Sequence, residues 1–234
     1  MKILSITTSS KICGVAILED TSIIKEINLN NGLTHSQSLM PLIKQTFDET
    51  NLTLSDMDLL ISDIGPGSFT GIRIGISTIK AFADSLGIKS IGVSALDSLT
   101  YNCENMGVIC SLIDAKKNNV YCEIYENILN STFSHIVRRN ASFENIDNLI
   151  LELNKIDPNY NITFVGDGAI SYKDTILKYL PSSNFISNND LSASKVGFAG
   201  FYNYTCGKFN NLSPLYLRKS EAEKKMEEKL NESK

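Results

Sequence analysis

Apolar positions in the first thirty residues fall into three short runs, 2–7, 12–18 and 22–29, separated by the polar turns Thr8-Ser9-Ser10 and Glu19-Asp20. Such runs between turn residues predict three strands joined as an antiparallel meander. The apolar spacing then lengthens. Leu39, Ile43 and Phe47 recur on one stripe with Met40 beside them, which predicts a helix over about 36–50. Pro41 either sets the regular part after Ser38 or kinks the first turn. Residues 57–64 read as a buried strand, 65–71 as a glycine-rich turn, and 69–86 as a helix stopped by Gly87. A further strand covers 88–93 and a helix 95–101.

In the second half, 108–114 and 120–126 flank the polar stretch 115–119 and read as a hairpin. A strand over 133–138, a helix over 143–155, a strand over 162–166 and a helix over about 169–180, ended by Pro181, follow. Residues 193–204 form a last helix, a candidate to pack back on the first half. From Lys219 the tail is charged and poor in apolar residues, as in chains that stay frayed. The division expected is a first domain over 1–104, a smaller α/β domain over 105–213, and a C-terminal segment over 214–234. An opening meander followed by αβαβα resembles the ribonuclease-H-type half of the actin and sugar-kinase (ASKHA) architecture. A doubly wound dinucleotide fold would begin with a βαβ crossover instead. The fold class expected is therefore α/β, actin-like, with two domains built on mixed sheets.

The chain of 234 residues is about two-fifths apolar, enough for one large core or two modest ones. No apolar run reaches the roughly 18–20 residues that span a bilayer, and no signal-peptide pattern opens the sequence, so a cytoplasmic location is expected. Cys13, Cys103, Cys110, Cys122 and Cys206 form no C-x-x-C pair and read as small buried hydrophobes rather than as a disulfide scaffold or a zinc site. A net charge of -4 argues against strong unaided binding to nucleic acid.

The most informative segment is Gly65-Pro66-Gly67-Ser68-Phe69-Thr70-Gly71-Ile72-Arg73-Ile74-Gly75. A strand feeding glycines into a helix N-terminus presents free backbone N–H groups, a geometry suited to anions. The spacing is nevertheless not that of a phosphate-binding G-x-x-x-x-G-K-[ST] loop, and Ser68 does not sit in G-x-S-x-G. Gly71 and Gly75, one turn apart, make with Thr78 a small-residue stripe that another helix could approach. Ile72, Ile76, Ile79, Ala83 and Leu86 form the opposite, core-facing stripe. Intradomain packing and a protein interface are both open at this point.

That segment resembles the signature loop and helix of the TsaB (YeaZ) family. The similarity extends to Ile3–Ser9 with Gly14-Val15-Ala16, to His35-Ser36 with Leu39-Met40-Pro41, and to Gly92-Val93-Ser94-Ala95-Leu96. It continues through Ile113-Asp114-Ala115-Lys116 with Val120-Tyr121 to Pro214-Leu215-Tyr216-Leu217-Arg218. The resemblance implies a subunit of the bacterial machinery that forms N6-threonylcarbamoyladenosine at position 37 of tRNAs reading codons that begin with A. It also implies pairing with the catalytic relative TsaD, with the ATPase TsaE joining the assembly, tRNA met only through the complex, and a homodimer when the chain is alone. The partner surface implied is the helix pair, through His35, Leu39, Met40, Ile43, Phe47, Gly71, Arg73, Ile74, Gly75, Thr78 and Phe82.

Two departures bear on chemistry. TsaD holds a metal through H-x-x-x-H, and the corresponding positions here fall on Ala95 and Leu99, which cannot ligate. His35 and His135 are the only histidines and stand a hundred residues apart, so neither a metal nor another cofactor is expected. Actin-like ATPases place an aspartate at the end of the first strand, where this chain has Thr7 and the TsaB pattern commonly reads Asp. Thr8, Ser9, Asp114, Gly166 and Gly168 remain as weak nucleotide candidates, with capping of the hairpin favoured for Asp114. The expected role is a non-catalytic scaffold or activator. Three rivals stay open: an actin-like ATPase or small-molecule kinase, a metalloprotease-like protein, and a regulatory interaction module outside tRNA modification.

Overall fold

The computed structural model describes residues 1–104, 107–128, 135–155, 161–208 and 211–218. The first sheet has the order β3-β2-β1-β4-β5. Strands β1 (Lys2–Thr7), β2 (Cys13–Glu19) and β3 (Ser22–Leu29) form the antiparallel meander, and β4 (Leu59–Asp63) and β5 (Lys89–Val93) extend it in parallel beside β1. Both faces of the sheet are covered, which explains the nearly continuous apolar runs of its strands. On one face Leu4, Ile6, Val15, Ile17 and Leu60 pack against helices α1 (His35–Thr50) and α2 (Phe69–Leu86).

The other face belongs to a helix from far along the chain, numbered α7 (Ala193–Thr205), whose Val196 and Ala199 join Ile3, Ala16, Leu18 and Ile61. The Ser5 hydroxyl donates to the Ala193 carbonyl at 2.7 Å, and a Cβ added at Gly197 would lie 2.5 Å from Leu18. Small residues on α7 thus set how closely it lies on the sheet.

Helix α2 spans the residues its periodicity predicts, with Ser68 accepting at its start from the Gly71 amide at 3.2 Å and Gly87 closing it in the left-handed region. Burying each of Ile72, Ile76 and Ile79 stabilises the fold by about 2 kcal/mol. Leu86, expected in the same stripe, is 45% exposed in the last turn, beyond the sheet's reach. Helix α1 runs unbroken through Pro41 rather than starting after Ser38.

Helix α3 (Ala95–Thr100) leads to the second sheet, ordered β10-β9-β6-β7-β8. Strands β6 (Gly107–Asp114) and β7 (Asn119–Asn127) form the expected hairpin, with Lys116, Lys117 and Asn118 all at positive φ in its tip. Strand β8 (His135–Asn145) runs well past the predicted 133–138, of which 133 and 134 lie outside the described residues. The helix predicted from 143 accordingly begins later, as α4 (Ile146–Leu153). Phe143 pairs with Tyr121 across the ladder, their rings 5.5 Å apart, and Asn145 caps α4 by accepting from the Asp147 amide at 2.8 Å. Cross-strand packing and a capping residue therefore outweigh the helical period at that boundary.

Strand β9 (Thr163–Val165) joins the sheet in parallel beside β6, and the helix predicted over 169–180 is two, α5 (Asp167–Ser171) and α6 (Lys173–Tyr179). Strand β10 (Asn184–Phe185) has no counterpart among the predicted elements, since two residues carry no period. The proposed boundary at 104/105 and the charged tail from 219 fall at or within residues outside those described.

Candidate functional site

The ends of β1 and β4 lie side by side, because Ile6 pairs with Ser62 and the next residues are Thr7 and Asp63. Asp63 is fully buried, and its carboxylate closes the Thr7-Thr8-Ser9 turn. It accepts from the Thr7 hydroxyl at 2.8 Å, from the Ser9 amide at 3.2 Å, from the Ser9 hydroxyl and, at longer range, from the Thr8 amide. Burial pushes its carboxyl above the usual carboxylate range, while these donors pull in the opposite direction. Thr7 thus has a definite role, as a hydroxyl donates to Asp63 where an ionised aspartate could only repel it. Sequence reading missed Asp63; the signal was a lone carboxylate ending an apolar strand just before the glycine loop.

The glycine loop is seated against the same turn. The Ser68 amide donates to the Ser9 carbonyl at 2.7 Å, and the Ala95 amide to the Gly65 carbonyl at 2.8 Å. Gly67 leaves no room for a Cβ beside the Ser9 carbonyl, and Gly71 none beside the Thr8 carbonyl. The Thr8 hydroxyl donates in turn to the Gly71 carbonyl at 2.8 Å, and a Cβ at Gly75 would lie 2.5 Å from that hydroxyl and 3.0 Å from Ser62 Oγ. This corrects the sequence reading of Gly71 and Gly75: the small stripe of α2 is turned inward, onto the chain's own β1 and β4. Of the loop amides, that of Ser68 meets Ser9 and that of Gly71 meets the Ser68 hydroxyl.

The helix-pair residues divide the same way. Leu39 and Ile43 are buried in the core under α1, so they cannot themselves touch a partner, contrary to expectation. His35 is half-buried, with Nε2 2.8 Å from the Ser10 carbonyl. Phe47, Ile74, Thr78 and Phe82 are half-buried, whereas Met40, at 51% exposure, and Arg73 stand out from the outer face.

A cleft of about 390 Å³ opens between the two sheets, with Ser9, Pro66, Gly67 and Ser68 on one side and Asp114, Lys116, Asp167 and Arg218 on the other. Its candidate nucleotide contacts are already engaged within the chain. Asp114 is bound by the Lys116 ammonium at 2.6 Å and by the Tyr172 hydroxyl at 3.2 Å, and the Asp114 amide donates to Asp167 at 3.0 Å. Burial pushes its carboxyl up, but the hydrogen bonds and charge of Lys116 together with the Tyr172 hydroxyl hold it below the usual range. Gly166 and Gly168 are required by the close approach of Leu112 on β6 rather than by a phosphate.

A model of the family described as "TsaD: tRNA N6-adenosine threonylcarbamoyltransferase" matches residues 30–200. The chain belongs to this family. It is 28% identical to the tRNA threonylcarbamoyladenosine biosynthesis protein TsaB of Bacillus subtilis, over 96% of this chain and 97% of that protein. The TsaB of Haemophilus influenzae is 26% identical over 97% of each. The solved YeaZ of Pseudomonas aeruginosa superposes with a TM-score of 0.71 at 21% identity, covering 92% of this chain and 99% of that one. These full-length relatives place the chain in the TsaB (YeaZ) family, whose members take part in threonylcarbamoyladenosine biosynthesis, on an actin-like two-domain α/β fold.

In this TsaB-family chain the two positions expected, from the resemblance, to stand where TsaD carries its metal-binding histidines hold side chains that cannot ligate a metal. Ala95 and Leu99 lie on α3 with their side chains buried in the core shared by the two sheets. Among the described residues no group of three or more His, Cys, Asp or Glu side chains is placed to hold a metal ion, and no helix is long and apolar enough to cross a membrane.

A second cavity, of about 310 Å³, is lined by Asp97, Tyr101, Glu123, Tyr125, His135 and Asn203 among others. Burial pushes Asp97 up to about 6 against the hydrogen bond from Asn203, pushes Glu123 up to about 7, and presses His135 down to about 4. A carboxyl raised in the folded state contributes stability at low pH that is lost as pH rises, so Glu123 weakens the fold between about 4.5 and 7. Asp97 acts in the same sense between about 4 and 6, and His135 in the opposite sense between about 4 and 6.5. Glu123→Gln is therefore expected to gain stability over wild type on going from pH 5 to pH 8, by on the order of 2–3 kcal/mol. Urea titrations at the two pH values measure it; a pH-independent difference would mean that Glu123 is not the titrating group.

Proposed function

We propose that this chain is a non-catalytic subunit that supports formation of N6-threonylcarbamoyladenosine at position 37 of tRNAs by pairing with TsaD, with TsaE joining the assembly. The observation that carries the non-catalytic reading is internal satisfaction. The Asp63 carboxylate, the loop amide of Ser68 and the glycines of α2 are spent on holding β1, β4 and α2 together. A nucleotide phosphate would have to displace these bonds, each with its own desolvation cost. The chain would offer surface, and the chemistry and the tRNA contact would rest with the assembly.

The surface that supports pairing is the outer face of α1 and α2, where Met40 and Arg73 stand exposed beside half-buried Ile74, Thr78 and Phe82. Two such helix pairs, one from each partner, would form a four-helix bundle. Because TsaD is a relative of the same family, the face could also meet its own copy, and a homodimer would compete with the heterodimer.

The test mixes the chain with TsaD of its own organism and reads the mass by light scattering. Wild type is expected to give a one-to-one complex, and Met40→Asp with Arg73→Glu to weaken it by about a hundredfold, as charge changes at a central apolar contact do. Both positions are exposed, so the variant leaves the core intact. Gly75→Arg, by contrast, would break the contact of α2 with β1 and could not isolate the interface. A complex that forms equally well with the double variant would move the interface off this face.

A further inference from the structure

We infer that residues 211–218 act as a strap that ties the second sheet to the first turn of α2, so that the face carrying Arg73 senses the position of the second sheet. The strap is anchored on the first sheet at its start. The Leu215 amide donates to the Ile64 carbonyl at 2.8 Å, just beyond β4, and the Leu215 side chain packs on the core beneath α1 and α2. A Cβ added to Gly92 of β5 would lie 2.9 Å from the Asn211 carbonyl, so the strap lies directly on that strand.

Two residues further on, the contacts belong to the other sheet. Leu217 packs against the cluster of Ala115 and Tyr121 with Leu96 of α3, and Arg218 lies over the Phe143 ring at 5.7 Å with Nη1 3.4 Å from the Ala115 carbonyl. Tyr216, between them, turns to α2. Its ring stacks on Phe69 at 4.6 Å, its hydroxyl accepts from Arg73 Nε at 2.8 Å, and the Arg73 guanidinium sits 5.7 Å from its ring centre. Phe69 and Arg73 stand one turn apart on the first turns of α2, so the single ring of Tyr216 clasps both.

Leu215 and Leu217 enter two different apolar clusters, while Tyr216 between them lies against α2 and stays partly exposed. Movement of the second sheet reaches Arg218 and Leu217 first, and Tyr216 is the next residue along the chain. The consequence for partner binding rests on the function proposed above; the coupling itself does not.

Hydrogen exchange read by mass spectrometry on the isolated full chain tests the coupling without TsaD. Tyr216→Ala is expected to speed exchange of the 70–73 amides roughly tenfold, and Tyr216→Phe, which keeps the stack and loses the hydroxyl, by less. Arg218→Ala is the deciding variant: it touches Ala115 and Phe143, yet it should raise exchange at Leu215 and at 70–73 severalfold while the 3–6 amides of β1 stay unchanged. The inference is overturned if Arg218→Ala changes exchange only near 115 and 143, if Tyr216→Ala leaves 70–73 unchanged, or if the rise extends equally to β1. If exchange responds as expected and TsaD fails to bind, the pairing reading falls and the strap stands.

Discussion

Gly71→Ala is expected to lower the stability of this chain by about 3–4 kcal/mol, or roughly 10 °C in melting temperature. The sign is the opposite of what helix propensity alone gives, since alanine is better than glycine in a helix interior by about 1 kcal/mol. The reason is contact. A methyl group at 71 would run into the Thr8 carbonyl, a backbone atom of the turn that also carries the Asp63 network and that cannot swing aside as a side chain would. The Thr8 hydroxyl is bonded to the Gly71 carbonyl, so α2 and the turn would have to part together. Gly75→Ala meets two hydroxyls instead, Thr8 Oγ1 and Ser62 Oγ, which can rotate away at smaller cost. Thermal unfolding of the two variants checks both the sign and the order; a Gly71→Ala protein as stable as wild type would mean that α2 does not lie on the turn as described.

Asp63→Ala is the second large effect, expected at about 3 kcal/mol. The substitution leaves the Thr7 and Ser9 hydroxyls and the Ser9 amide without an acceptor in a place water does not reach. Asp63→Asn keeps an oxygen and the shape, and should cost about half as much. The pH dependence separates this from simple loss of packing. Because the folded-state carboxyl is raised, wild type loses some of the Asp63 contribution as pH rises above the ordinary carboxylate range, and an asparagine does not titrate. The penalty of Asp63→Asn should therefore shrink between pH 5 and pH 8. Urea unfolding of both variants measures it, and an Asp63→Ala protein equal to wild type would remove Asp63 as the organiser of the turn.

These variants also bear on function, because the same atoms are the ones a phosphate would need. In this chain Thr7 and Asp63 share a hydrogen bond across adjacent strand ends, and the donors of the turn point at a carboxylate rather than into the cleft. The departure at Thr7 belongs with Asp63 as one arrangement. That pairing is what makes a supporting role coherent with the details of the chain, and it could be seen only once β1 and β4 were placed side by side.

The sequence by itself determined the elements whose period is long and whose ends are marked. The meander 2–29, helix α2 between Ser68 and Gly87, and the 115–119 hairpin tip follow from alternation, a capping residue, a left-handed glycine and a polar turn, all local properties. The ordered matches to the TsaB family also lie in the linear sequence, and with them the family assignment. Only the tertiary structure decided what the residues of α2 face. A helical period says that Gly71 and Gly75 share a stripe with Thr78 and that the isoleucines share another, but not which stripe meets β1; here the two glycines lie inward as the isoleucines do, Thr78 is half-buried, and the partner-facing residues shrink to those between and beyond them. The length of β8 was decided in the same way, by Tyr121 across the ladder. Asp63 and the strap depend on pairs 54 to 56 and 143 residues apart in the chain, and no local pattern encodes a hydrogen bond between residues so distant.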